Sequence, residues 1–527
     1  MSSIVKQKVG KHVYLYESVS YRDENGKPRN SRKTIGKVDP ETGEYIYKPE
    51  YLERTGLITP TISKKSTFTP SEIQNSSIKD FGGFYLLENI AKQVGLLDVM
   101  QESMPQLWQK IFNLASYLLS TGDPFAYCED WLSETEVYEV GSMSSQRISE
   151  LLNEITAEEQ DSFYQLWCQK RSENEYLALD ITSSSSYSQL VDSVDWGYNR
   201  DGENLAQINI CLLMGYASRL PIYQKVYSGS LGDVSTLKTT INSFKSITSE
   251  KPLITVMDKG FFSTKNVNTM FDENHKMDFI IAVPFTNKIA KSMVQSERKD
   301  IDSLENTIVV GGDTLRAITK QKRWNGANKV YVHAYFNPRK AQKSRDELYS
   351  EVILMREAVL ENPKKYVDNP DYTKYFIIRK SEKNNNGYTV NIRQDVIDAK
   401  LETAGWLVII SNFMSDAKEV IKVYREKDVV EKGFLRLKNS LDLARIRVHS
   451  ETSMQSKVFI GFIALILLTA VHNVMMDKGL YRMFSMKKLM LTLSKQKVQM
   501  ISGNRILMPA NKKQKEIYKA FDLQIPV

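Results

Sequence analysis

At 527 residues the chain is long enough for roughly two to four domains and for at least one large buried core. Three dispersed cysteines, Cys128, Cys168 and Cys211, and five scattered histidines exclude a disulfide framework or a zinc cluster and fit a reducing compartment. The net charge of +8 collects at the ends, with 11 Lys/Arg against 3 Asp/Glu in residues 477–527 and 9 against 3 in residues 1–37, a distribution suited equally to a polyanion partner and to solvated termini.

The amino terminus has no apolar core of a signal peptide. It turns directly into an alternating strand, His12 to Val19, followed by an Asn-Gly turn within Asp23 to Lys27 and a basic strand ending near Lys37. A turn at Asp39 to Gly43 leads into Tyr45 to Tyr47, and a Thr/Ser/Pro/Lys-rich stretch from Thr59 to Pro70 reads as a linker. Helical spacing follows at Phe84, Leu87, Ala91 and Val94 and at Ile111, Leu114, Ala115 and Leu118, until Gly122-Asp123-Pro124 interrupts it. Thr156 and Glu159 form a capping box ahead of Phe163, Leu166 and Trp167, in a helical region ending near Arg171.

From Glu175 the period changes. Tyr176 to Ile181, Gln207 to Met214 and Pro221 to Tyr227 read as strands; then come a helix (Val234 to Phe244), a strand (Leu253 to Met257), a helix (Thr264 to Phe271) and a strand (Phe279 to Val283). Three consecutive strands followed by helix-separated strands predict an α/β fold with an RNase H-like mixed sheet. Gly311 to Glu402 breaks the pattern, with short strands, a charged helix around Ala341 to Leu360 and a polar loop from Ser381 to Gly387. Strand residues resume at Trp406 to Ile410. The apolar run Val458 to Val471 spans 14 residues, short of the roughly 18 expected of a membrane span, and reads as a buried core helix. The expected organisation is a β-rich amino-terminal domain (1–58), a helical DNA-binding region (71–172), a catalytic core in two parts (173–290 and 403–480) around a β-rich insertion (291–402), and a basic carboxy-terminal tail (481–527).

Three carboxylates stand out: Asp180 in YLALDIT, Asp258 in LITVMDKGFFS and Glu431 in YREKDVVEKGFLRLK. Tyr424, Lys427, Glu431 and Lys438 lie at offsets 0, 3, 7 and 14, which at about 100° per residue puts them within roughly 60° of arc on one helical face. Glu426 falls about 200° from Tyr424 and points away, so helical phase selects Glu431. Asp180 and Asp258 each follow an apolar strand run and are placed to project from neighbouring strands. Three such carboxylates suffice to hold two hard divalent cations that activate an attacking oxygen and stabilise a leaving one. Taken singly, either aspartate reads equally well as an ordinary strand-end acid.

Together, DITSSSSYS after Asp180, DKGFFS from Asp258 and the helix around Glu431 resemble the DDE transposases of bacterial insertion sequences. The resemblance is to the branch marked by Tyr-x2-Arg-x3-Glu-x6-Lys, over about residues 175 to 475. It implies metal ligands at Asp180, Asp258 and Glu431, for two Mg²⁺ ions with Mn²⁺ as a substitute, and phosphate contacts at Tyr424, Lys427 and Lys438. Lys427 stands where the branch has arginine; it keeps the charge but loses the bidentate fork, and Arg425 is a neighbouring source of one. Asp258-Lys259-Gly260-Phe261 likewise replaces the usual Asp-Arg-Gly-Phe. The resemblance also implies a large insertion between the second and third acids, which 431 − 258 = 173 residues accommodate. In relatives that cut through a DNA hairpin, a tryptophan near the end of that insertion stacks on an extruded base. Trp406 holds the similar position and Trp324 is a second candidate, though a strand tryptophan also serves as core. Thr182 matches the family's Asp-x-Thr, Arg445 and Arg447 extend the basic face beyond Lys438, and His449 is either structural or a phosphate contact.

The expected protein is a transposase of a bacterial cytoplasm, associated with the nucleoid and with no membrane partner. It binds terminal inverted repeats and target DNA as a homodimer in the synaptic complex, and catalyses strand cleavage and transfer. Rival readings are an RNase H-like nuclease that does not join strands and a domesticated relative that only binds DNA.

Overall fold

The structure, a computed structural model, describes residues 2–10, 12–24, 26–40, 43, 45–55, 76–170, 175–248, 254–272, 277–381 and 387–527. The expected linker Thr59 to Pro70, Asn25, Arg171, Leu253 and the interior of the Ser381 to Gly387 loop lie outside the described residues. The chain divides into two compact units, Met1–Asn75 and Ser76–Val527.

In the first unit, β1 (Ser2–Val9), β2 (His12–Arg22), β3 (Pro28–Val38) and β4 (Tyr45–Tyr47) form an antiparallel sheet in chain order. Gly26 takes φ +73° in the β2–β3 turn, a conformation glycine adopts without a Cβ penalty. Leu15 and Ile35 are buried, while Ile4, Val9, Val19 and Tyr21 face solvent.

The second unit opens with β5 (Ser77–Asp80) and a run of helices that includes Gly82–Gln93, Trp108–Thr121, Ser145–Glu154 and Ala157–Gln169. The capping box of Thr156 and Glu159 is present, with both reciprocal hydrogen bonds made. These helices do not pack as a body of their own. Phe84, Phe112, Phe163 and Trp167 join one hydrophobic cluster with the sheet residues Leu179, Ile210 and Met257.

Ten strands make the large mixed sheet. Its centre comprises β6 (Tyr176–Ser186), β7 (Gln207–Gly215), β8 (Pro221–Ser228), β9 (Ile254–Met257) and β10 (Asp278–Ala282) in the order β8-β7-β6-β9-β10. The first three are antiparallel, and β9 and β10 run parallel to β6, an arrangement consistent with an RNase H-like core. β11 (Thr307–Val310), β12 (Asp313–Trp324) and β13 (Asn328–Phe336) extend the same sheet beyond β10, through β16 (Trp406–Ser411). The strand-rich part of the expected insertion is therefore continuous with the core sheet. What lies outside that sheet is mostly helical: the helices Pro338–Glu361 and Gln394–Glu402 and the hairpin of β14 (Phe376–Lys380) and β15 (Tyr388–Ile392) pack around Leu348, Val352, Phe376 and Ile397.

The serine run of β6 departs from expectation. The strand does not end near Ile181 but continues to Ser186, because its buried hydroxyls find partners alternately on two sides. Ser183 and Ser185 donate to Tyr198 O at 3.3 Å and Glu203 Oε2 at 2.6 Å. Ser184 and Ser186 donate to Leu443 O at 2.5 Å and Ile446 O at 3.1 Å, beside the short β17 (Arg445–Ile446) that pairs with β6. Hydrogen bonding removes the penalty of burying the hydroxyls.

The apolar run occupies the centre of a helix, Glu451–Asp477. By length and composition this helix is long and apolar enough to cross a membrane, yet every residue from Val458 to Val471 is buried within the protein. Each large apolar side chain so buried contributes about 1.5–3 kcal/mol. The carboxy-terminal segment is folded and is no free tail: the helix Met486–Leu493, β18 (Lys497–Ile501), β19 (Asn504–Leu507) and the helix Lys512–Ala520 follow one another, and β18 pairs with β5. Leu489, Leu493, Ile517 and Phe521 enter the main core, and Arg505 forms a bidentate pair with Glu136, both contacts 2.8 Å.

Candidate active site

Parallel pairing sets Leu179 opposite Met257, so Asp180 and Asp258, one residue further along each chain, stand side by side. Neighbouring strands lie about 4.8 Å apart, and equal offset from a paired position puts both carboxylates on the same face. Asp180 lies within β6, and Asp258 directly follows β9 as the backbone enters a short 3₁₀ turn, Lys259–Phe261. Gly260 in that turn has no room for a side chain, since a Cβ there would sit 2.7 Å from Asp233 Oδ2.

Burial raises the Asp180 carboxyl to about 6, and the neighbouring Asp258 adds to the effect, while the Ile181 amide, Lys427 and Arg200 oppose it. Ile181 N donates to Asp180 Oδ1 at 2.8 Å. Lys427 and Arg200 thus offset the Asp180 charge only in part, and burial outweighs them.

The helix predicted to carry the signature is interrupted. Ala417–Glu426 ends and Asp428–Ser440 begins at Lys427, where Lys427 N bonds back to Tyr424 O at 3.3 Å in a locally tighter turn. Tyr424 Oη donates to Asp258 Oδ1 at 2.8 Å. Burial first, then the Asp258, Glu431 and Asp180 carboxylates, push the Tyr424 phenol upward, so it remains a donor. Lys427 Nζ donates to Glu431 Oε1 at 2.6 Å. Its burial lowers the ammonium, but Glu431, Asp258 and Asp180 outweigh that and raise it. Glu431 thus sits in the electrostatic neighbourhood of the two aspartates but is turned toward Lys427. Among the described residues, no three His, Cys, Asp or Glu side chains are posed together closely enough to hold a metal ion. The oxygen donors of Asp180 and Asp258 suit a hard divalent cation, and completing a three-acid set requires Glu431 to leave Lys427. Glu426 is directed elsewhere, to the Tyr216 hydroxyl, as helical phase predicted.

The remaining expected residues divide. Lys438 Nζ lies 2.7 Å from both carboxylate oxygens of Asp201, Arg445 pairs with Glu203, and Arg447 holds Asp442 at 2.8 and 2.7 Å. Every one of these expected phosphate contacts is therefore paired with an acid of the same chain. Arg425 faces away from the aspartates and binds Val310 O at 2.9 Å and Asp313 Oδ2 at 3.0 Å, so it does not stand in for the missing signature arginine. Trp406 is 9% exposed and lies 5.1 Å from the Phe336 ring, yet it lines a cleft of about 950 Å³ shared with Asp258 and Tyr424. Trp324 is core: its Nε1 donates to Asn268 Oδ1 at 2.7 Å. Thr182 is buried in β6, and His449 lines a separate cavity with Arg447 and Lys457. Arg200, Asp201, Glu203 and Asp233 belong to the same neighbourhood and went unnoticed in the sequence, because nothing in their spacing links them to the acids.

Paired aspartates on adjacent central strands, with a helix-borne glutamate beside them, offer oxygen donors of the kind that a metal-dependent phosphoryl-transfer site uses. Residues 172–467, more than half of the chain, match the family described as the transposase DDE domain, and the chain belongs to that family; it is a DDE transposase, a metal-dependent polynucleotidyl transferase. The cryo-EM structure of the piggyBac transposase synaptic complex with hairpin DNA is similar at 12% identity and a TM-score of 0.36, covering 77% of this chain and 70% of that chain. No curated protein matches.

Proposed function

We propose that this transposase serves a bacterial insertion sequence, in the cytoplasm and close to the nucleoid, cutting at terminal inverted repeats and joining the freed ends to target DNA as a dimer. The observation that carries this reading is the Leu179–Met257 register, which pairs Asp180 with Asp258 beneath Tyr424 and the Lys427–Glu431 ion pair. The Tyr-x2-Lys-x3-Glu-x6-Lys spacing of Tyr424 to Lys438 supports membership of the Tyr-x2-Arg-x3-Glu-x6-Lys branch.

Asp180, Asp258 and Glu431 are the residues that would hold divalent metal, with Mg²⁺ the preferred ion and Mn²⁺ a substitute. Bound there, metal supplies Lewis-acid activation of the attacking oxygen and charge neutralisation of the leaving one. In the first reaction water attacks a phosphodiester, a P–O bond forms, and the strand leaves as a free 3′-hydroxyl. In the second, that hydroxyl attacks a target phosphodiester and the displaced strand again leaves through its 3′-oxygen; on a hairpin route the hydroxyl first attacks the opposite strand, displacing that strand's 3′-oxygen, and a second water reopens the hairpin to restore the 3′-hydroxyl before transfer. Tyr424 positions Asp258 through its hydroxyl. Lys427 exchanges Glu431 for a substrate phosphate, and Lys438, Arg445 and Arg447 bind the flanking backbone once their own acids release them. Trp406, at the wall of the cleft beside Asp258, is placed to meet an extruded base if its packing against Phe336 opens.

Labelled element ends incubated with Mg²⁺ and either wild type or Glu431→Gln test the proposal. Wild type is expected to cut and join and the variant to do neither. Equal joining by both overturns the role of Glu431, and hydrolysis without joining by wild type identifies a nuclease instead.

A further inference from the structure

The β6–β7 connection, residues 187–206, displays an unusual surface. Trp196 is 62% exposed, Tyr198 83% and Tyr187 72%, with Leu190 beside them at 71%. Contiguous exposed apolar surface marks interaction sites, and these four side chains fall within a single connection. Their backbone is firmly anchored. Asp195 and Gln207 exchange two backbone hydrogen bonds of 3.0 Å, Tyr198 O accepts from Ser183 Oγ at 3.3 Å and Gln207 Nε2 at 3.0 Å, and Asn199 Nδ2 donates to Ser185 Oγ at 3.0 Å. Gly197, between Trp196 and Tyr198, approaches so closely that a Cβ would stand 1.9 Å from Gly229 O. Trp196 and Tyr198 are thus held out into solvent from a fixed backbone, at the cost of leaving two large rings hydrated.

The same segment ends in the acids that occupy the basic face. Asp201 pairs with Lys438 and Glu203 with Arg445, and the Arg445 guanidinium lies 5.7 Å from the centre of the Tyr187 ring. Aromatic faces beside a row of cations make up the surface that binds single-stranded nucleic acid, in which bases stack on rings while phosphates meet lysine and arginine. The anchor points Ser183 to Ser185 lie three to five residues beyond Asp180 on the same strand, roughly 10–17 Å at about 3.3 Å per residue.

We propose that residues 187–206 form a stacking platform for unpaired bases of the DNA strand near the cleaved phosphate, with Trp196 and Tyr198 as the base contacts. Intact duplex offers no free base faces to these rings, so the platform selects DNA that is already melted or nicked. The inference rests on the transposase reading and adds a substrate state to it. The test is fluorescence anisotropy of the full chain with a labelled single-stranded oligonucleotide and with a labelled duplex, for wild type, Trp196→Ala/Tyr198→Ala and Trp196→Phe. Stacking losses of the size found for single-strand binders predict a drop of about 30-fold or more in single-strand affinity for the double variant, less than about twofold change for duplex, and retention of most affinity by Trp196→Phe. Unchanged single-strand affinity in the double variant, while wild type still cuts and joins DNA, overturns the platform alone. Failure of wild type to bind or cut any DNA overturns the transposase reading as well. Loss of self-association in sedimentation, with single-strand affinity intact, assigns the rings to a second copy of the chain and likewise overturns the platform.

Discussion

The strand-borne and helix-borne halves of the site are built on different principles. Asp180 and Asp258 are placed by a backbone ladder, Leu179 opposite Met257, with Asp180 inside its strand and Asp258 at the end of its own. Glu431, Lys427, Lys438, Arg445 and Arg447 are placed by side-chain ion pairs with one another or with nearby acids. The first half is preorganised and pays in desolvation, as the raised Asp180 carboxyl records. The second is exchangeable, because it rests on contacts between side chains: Glu431 keeps about half of its side-chain surface exposed, while its partner Lys427 is largely buried. On the proposed reading, a site divided in this way would fix two metal ligands before substrate arrives and leave the third, with the phosphate-binding cations, to be recruited.

Removing a fixed ligand has the largest expected effect. Asp258→Asn should lower strand cleavage by on the order of 10³-fold or more, since several kcal/mol of charge stabilisation is lost, while circular dichroism and melting temperature stay near wild type; activity within tenfold of wild type breaks the distinction.

The next effect concerns stability and pH. The folded-state carboxyl of Asp180 is raised from the usual range to about 6, so the native state holds its proton more tightly than the unfolded chain does. Its contribution therefore favours folding at low pH and is lost as pH rises from about 4 through about 6. In chelator, Asp180→Asn should match wild type below pH 4 and gain stability between pH 4 and 6. The gain should plateau at up to about 3 kcal/mol, from two units at about 1.4 kcal/mol each. Urea unfolding at a series of pH values reads this directly, and a pH-independent difference contradicts it.

On the exchangeable side, Lys427→Ala frees Glu431 and removes a positive charge beside both aspartates. Titration calorimetry should show Mn²⁺ affinity in the absence of DNA rising about tenfold, equivalent to about 1.4 kcal/mol, while phosphate-dependent DNA affinity falls. The smallest effect is expected at Glu426→Gln, less than about twofold in cleavage rate, because Glu426 faces Tyr216 and not the aspartates.

Much of the preorganised half was legible in the sequence. Alternating and continuous apolar runs located the central strands, and Thr156 with Glu159 announced its helix start because a capping box is purely local. Helical phase set Glu426 apart from Tyr424 even though the helix is broken at Lys427: Tyr424 reaches Asp258, whereas Glu426 meets the Tyr216 hydroxyl. The exchangeable half was not legible. Lys438–Asp201 and Arg445–Glu203 join residues 237 and 242 positions apart, and no local pattern encodes such pairings. The strand was expected only as far as Ile181, and its extension through Ser183 to Ser186 depends on partners from Tyr198 to Glu203 and from Leu443 to Ile446. The carboxy-terminal segment looked like a basic tail because its apolar residues, Leu489, Leu493, Ile517 and Phe521, are sparse and become a core only against distant helices.

The central claim, that the paired aspartates bind metal directly, is tested most sharply by Asp258→Cys assayed for cleavage of nicked element ends in different metals. A thiolate ligand disfavours hard Mg²⁺ and accepts softer ions. The variant is expected to be inactive in Mg²⁺ and to recover cleavage in Mn²⁺ or Cd²⁺; wild-type activity of Asp258→Cys in Mg²⁺ would contradict the assignment.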